Sequence, residues 1–134
     1  MKPLVSLVVV LCLIFFAVVS HTQSFVFKEA KRVALLTTPD KDGDYVLRND
    51  KVVDGQRFVY ALGYFPRSGQ IGVVKLTNRS GVVIMCDESN STYVVGVIKD
   101  GIPQNDSVKP ISEEQADKVA EEVLNGIHSV GIPI

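Results

Sequence analysis

The sequence is short of residues on which many small extracellular domains depend. It has two cysteines, two histidines and no tryptophan. Cys12 falls in the apolar N-terminal run, so Cys86 alone belongs to the rest of the chain. One thiol cannot close an internal bridge, which excludes the disulfide scaffolds common among secreted domains of this size. The core must then hold the fold by itself. His21 and His128 neighbour no serine or cysteine in a nucleophile motif, and neither G-x-S-x-G nor H-E-x-x-H occurs. A Cys86–His128 pair would have to be made in space, without local support. The expectation is a non-enzymatic protein with no cofactor. A basic block is also missing, which argues against nucleic acid as a partner.

The N-terminus sets the compartment. Lys2 is followed by an apolar run broken only by Ser6, and Val18 and Ser20 give the small-residue spacing that suits signal peptidase. This is the three-part layout of a secretory signal, with cleavage expected after Ser20. An uncleaved signal anchor is the rival reading, but the run is short for a span of about 20 residues. No second stretch of that length follows, so no membrane association is expected after cleavage. Residues 1–20 are thus read as the signal and residues 21–134 as one secreted domain. The whole chain has 14 basic and 15 acidic residues. Loss of Lys2 leaves 13 against 15, a formal charge of −2.

What the chain does have is a series of short apolar runs, rich in Val, Ile, Tyr and Phe. They cover residues 44–50, 56–65, 70–77, 81–87 and 91–98. Turn residues separate them: Asp54-Gly55, Ser68-Gly69, Asn78-Arg79-Ser80 and Glu88-Ser89-Asn90. Such spacing predicts an antiparallel meander of about five strands. Parallel pairing would need crossovers of a dozen or more residues, for which there is no room. Residues 24–38 carry both signals. Val26, Ala30 and Val33 fit a helical stripe, Phe25 and Phe27 fit a strand, and residues 33–37 lean towards strand.

The C-terminal segment predicts a helix over about 112–125. Ser112 and Gln115 form a capping box, and Ile111 is placed to staple onto Ala116. Ala116, Val119, Ala120, Val123, Leu124 and Ile127 make one apolar stripe, and Asn125-Gly126 reads as the stop. Before it, "KDGIPQNDSVKP" reads as a long polar loop. The fold class is therefore α+β, with the helix packed on one sheet face.

Three features could carry function. Asn78, Asn90 and Asn105 open N-x-S/T sequons, read as N-glycan acceptors on turns and loops. Cys86, in "VVIMC", reads as a buried small hydrophobe, with an intermolecular disulfide or a reactive or metal-binding thiol as alternatives, although no second soft ligand is nearby. The stretch "DKDGDYVLRND" resembles a calcium loop only slightly. Its glycine stands fourth where the sixth is required, and Lys51 occupies the twelfth position, so no metal is expected.

Alternation adds one more expectation. Phe58, Tyr60, Leu62 and Tyr64 oppose Val59, Ala61 and Phe65, while Val82 and Ile84 oppose Val83 and Met85. Both faces are apolar, whereas a sheet with one wet face would alternate apolar and polar. One helix covers one face. The other needs the N-terminal segment, curling of the sheet, a second subunit in a homodimer, or a bound apolar ligand. The expected function is a small secreted glycoprotein that binds an extracellular protein or ligand. The alternatives are a carrier of a small apolar ligand held between sheet and helix, a protease inhibitor acting through "KDGIPQNDS", or a secreted enzyme.

Overall fold

The computed structural model describes residues 24–128. The signal reading, with Lys2, Cys12, Ser20 and His21, lies outside them. In chain order the elements are α1 (Phe25–Ala34), six strands and α2 (Glu113–His128). The strands are β1 (Tyr45–Val53), β2 (Gln56–Phe65), β3 (Gln70–Thr77), β4 (Ser80–Asp87), β5 (Thr92–Lys99) and β6 (Ile102–Pro110). They form one antiparallel sheet in the order β1-β2-β3-β4-β5-β6. The α+β meander with a C-terminal helix on the sheet is what the runs and turns call for.

Tight turns set the registers. Asp54 and Gly55, Asn78 and Arg79, and Asp100 and Gly101 all have positive φ. Each pair sits between strand ends already in register, Val53↔Gln56, Thr77↔Ser80 and Lys99↔Ile102. Two central residues with positive φ make the type I′ turn, whose twist matches that of the strands it joins.

Three readings of the sequence need correction. The polar stretch after Lys99 is a sixth strand, entered through the Asp100-Gly101 turn, and its pairing is broken. Val97 pairs with Gln104 and Val95 with Lys109, so Asn105, Asp106, Ser107 and Val108 stand opposite Gly96 alone. The N-terminal segment is a helix from Phe25 to Ala34, where a strand over residues 33–37 was expected. Ser24 caps it, its Oγ accepting from the backbone N–H of Val26 at 3.1 Å and Phe27 at 3.3 Å. Phe27, Ala30, Val33 and Ala34 form its buried stripe. Finally, α2 runs through Asn125-Gly126 to His128. Gly126 fits there because the helix lies on Tyr60, whose ring a β-carbon would strike.

Both helices pack on one face of the sheet. Every sheet residue that meets them belongs to the same register set. Tyr93 Oη accepts from the Ser24 N–H at 3.2 Å and donates to Glu113 at 3.1 Å. Asn49 Nδ2 donates to the Gly126 carbonyl at 2.8 Å, satisfying a group in the last turn of α2. Lys31 of α1 pairs with Glu88 at 2.8 Å and lies 4.5 Å from the centre of the Tyr64 ring. Lys75 pairs with Glu122 of α2. Between the layers, Phe27, Val33, Ile71, Val73, Val123 and Ile127 are 0 % exposed. Each large side chain buried in this way contributes about 1.5–3 kcal/mol.

Candidate functional site

The opposite face of the sheet is the candidate site. The registers place Val59, Leu76, Gly81 and Ile98 in one row across it. Ala61, Val74, Val83 and Gly96 form the next, and Gly63, Gly72, Met85 and Val94 the third. No helix or strand among the described residues is stacked on these rows. Most of the larger side chains, Val74, Val83, Met85 and Ile98 among them, are half-buried by neighbours in the sheet itself. Val59, opposite Asp50 and Leu76, is buried within the face.

The face is both apolar and low. Gly63 and Gly72 are opposite one another, and Phe65 and Met85 fold over them. A β-carbon at Gly72 would come within 2.8 Å of Met85 Sδ, and one at Gly63 within 3.2 Å of the Phe65 ring and of the Tyr45 carbonyl. The result is a shallow depression of about 120 Å³ lined by residues that include Val46, Ala61, Val74 and Val83. A wide-open hollow of about 370 Å³ adjoins it, sharing Phe65 and Met85 and rimmed by Asp44, Arg67, Ser68 and Gln70. On the β1 side the rim is the Arg48–Asp50 ion pair at 2.7 Å. Hydrogen bonding to Arg48 holds the Asp50 carboxyl below the usual range.

The sequence-derived candidates fall elsewhere. Asn78 is exposed in the β3–β4 turn, its Oδ1 accepting from the Arg57 N–H at 3.0 Å. Asn90 is exposed in the β4–β5 turn, its Oδ1 accepting from the Thr92 hydroxyl at 2.7 Å and the Thr92 N–H at 3.2 Å. Asn105 is exposed in the bulge of β6, a strand where a loop was expected. Asn78 and Asn90 thus stand at opposite ends of the sheet, and Asn105 in the β6 bulge on its outer edge.

Cys86 is 0 % exposed on the helix-covered side, between Ile71 and Tyr93 in register. A bridge to another chain would require the layers to separate. His128 is exposed at the end of α2, two residues beyond the Gly126 that Asn49 of β1 holds. Three strand spacings, about 14 Å, separate β1 from the Cys86 strand, so the structure does not assemble a Cys–His pair. Asp40, Asp42 and Asp44 bring carboxylate oxygens within 4.8 Å of one another. One Asp40 oxygen already accepts from the N–H groups of Asp42 at 2.8 Å and Asp44 at 3.0 Å, which is a turn stabilised by its own side chain.

No helix among the described residues is long and apolar enough to cross a membrane. Compared with known proteins, the chain matches no family model, no curated protein and no solved structure at significance.

Proposed function

We propose that the protein is a small secreted glycoprotein, non-enzymatic, whose uncovered sheet face binds an extracellular protein. The observation that carries this reading is the placement of both helices on one side of a sheet that is apolar on both. Size favours a protein over a small ligand. Six strands about 4.8 Å apart and about eight residues long span roughly 700 Å², close to the ~800 Å² each partner gives to a standard interface. The shallow depression on the face, about 120 Å³, falls short of the ~300 Å³ at which small-molecule sites begin, and the adjoining hollow of about 370 Å³ is too open to bury a small ligand. The space between sheet and helices, where a carrier would hold its ligand, is taken by Phe27, Ile71, Val73 and Val123. The sequons on turns and edge leave the face open to a partner, and the N-terminal signal layout supports secretion.

The test uses full-length protein secreted from a eukaryotic host and a fluorescent probe of exposed apolar surface. The native wild type should bind the probe. Val74→Lys combined with Val83→Glu should abolish binding and leave the melting temperature within a few degrees of wild type. Absence of probe binding by native wild type, or unfolding of the double variant, would refute the reading. Glycosidase treatment should lower the mass of the same material. An unchanged mass would remove the glycoprotein part of it.

A further inference from the structure

The sheet ends in two outer strands, and they are built differently. β6 carries Pro103 and Pro110, a bulge and a sequon at Asn105. Prolines, bulges and charges are devices that stop an edge from pairing with another chain. β1 has nine residues, no proline and unbroken pairing with β2 from Tyr45 to Val53. Its outer peptide groups can be assigned. Arg57 of β2 donates its N–H to Asn78 and accepts from the Asn78 N–H at 2.8 Å, so both its backbone groups turn towards β3. Its neighbours Gln56 and Phe58 therefore turn towards β1, and the alternation runs the length of the ladder. Val53, Lys51, Asn49, Leu47 and Tyr45 point inward. Val46, Arg48, Asp50 and Val52 point their N–H and C=O groups outward, and their side chains lie on the uncovered face.

We infer that β1 pairs with β1 of a second copy of this chain, antiparallel, about a two-fold axis at Asn49. Asn49 is the middle residue of the strand, so all nine residues overlap. In this register the outward residues form the hydrogen-bonded pairs, Arg48 with the other copy's Asp50 and Val46 with the other copy's Val52. Each pair occurs twice. Val46 is 51 % and Val52 64 % exposed in the single chain, so contact between them removes apolar surface from water. The neighbouring registers fail on charge. Within the strand, an axis at Arg48 opposes two arginines, one at Asp50 opposes two aspartates, and one at Lys51 opposes two lysines. Like charges directly opposite each other are destabilising. Two six-stranded sheets would become one of twelve strands, with the two uncovered faces continuous. The inference does not rest on what that face binds.

Charge exchange tests it by sedimentation of the full chain. Wild type should form a dimer that persists under reducing conditions. Arg48→Asp alone and Asp50→Arg alone each place like charges opposite at two sites, and should raise the dimer Kd about tenfold or more. Arg48→Asp combined with Asp50→Arg restores opposite charges in the same register and should recover the wild-type Kd to within about threefold. A wild type still monomeric at about 1 mM, a dimer lost on reduction, a double variant as weak as the singles, or a dimer indifferent to all three variants would each overturn it.

Discussion

The two faces of the sheet are both apolar, yet among the described residues one carries two helices and the other carries none. Side-chain volume separates them. The covered face presents Tyr60, Leu62, Tyr64, Ile71, Ile84 and Tyr93, whereas the uncovered face, beside Phe65, Leu76, Met85 and Ile98, presents Ala61, Gly63, Gly72, Gly81, Gly96 and valines. Large side chains interdigitate with a helix, whose axis must stand well off the sheet to accommodate them. Glycine and alanine leave the backbone near the surface, where Phe65 and Met85 lie flat over it. Such a face loses little conformational freedom when another surface settles on it. Apolar pattern alone therefore marks both faces as places for contact, and volume tells which contact is internal.

The largest expected effect opposes a covered valine to an uncovered one. Val123 of α2 is 0 % exposed. Val123→Asp puts an unpaired charge into the packed layer and should cost about 3–5 kcal/mol, enough to unfold much of the protein in a denaturant titration. Val83→Glu, on the same sheet's other side, should stay within about 0.5 kcal/mol of wild type. Equal losses would erase the distinction.

Glycines give the next contrast. Gly126→Ala brings a methyl against the Tyr60 ring and should cost about 1–3 kcal/mol as the helix lifts. At Gly72 the obstacle is Met85, a flexible side chain on an open surface, and the backbone is not in the positive-φ region. Gly72→Ala should be neutral, or stabilising by up to about 1 kcal/mol through the unfolded chain. Thermal melts of the two variants check both signs.

A smaller effect depends on pH. Burial, ahead of the neighbouring Cys86 and Glu113, pushes the Tyr93 phenol well above its ordinary value of 10.0. The folded state keeps this proton where the unfolded state releases it. Stability is therefore unaffected below pH 10 and falls above it, by up to about 1.4 kcal/mol per pH unit. Tyr93→Phe should flatten that alkaline slope in urea titrations while lowering stability at neutral pH, because the Ser24 N–H and Glu113 lose their partner. An unchanged slope would place the phenol in water.

Much of the architecture was legible in the sequence. Turn residues marked the first five strands, and Ser112 with the stripe from Ala116 to Ile127 marked α2. Two elements were hidden for different reasons. The proline-bearing, polar β6 has the composition of a loop, and its one clear signal was Asp100-Gly101, a strong hairpin pair. In α1 the buried stripe includes Ala30 and Ala34, too small to stand out against Phe25, which is 84 % exposed. Ser24, followed by Val26 and Phe27, was the available cue. The stop read at Gly126 failed because the reason for that glycine is Tyr60, remote in sequence. The candidate site was half legible. Alternation showed that a second face needed cover, but not that the N-terminal segment lies beside α2 on the first.

Native-state thiol labelling on β4 tests the central claim most directly. Val83 and Ile84 are consecutive and point to opposite faces, and the buried Cys86 on the same strand serves as an internal control. In the full chain, Val83→Cys should react with a thiol reagent directly, without opening of the fold, at a rate set by its half-buried position. Ile84→Cys and Cys86 should react only through opening of the fold, slower by about 10³-fold or more. Protection of Val83→Cys to the same degree as Ile84→Cys would mean that both faces are core, and would contradict the account.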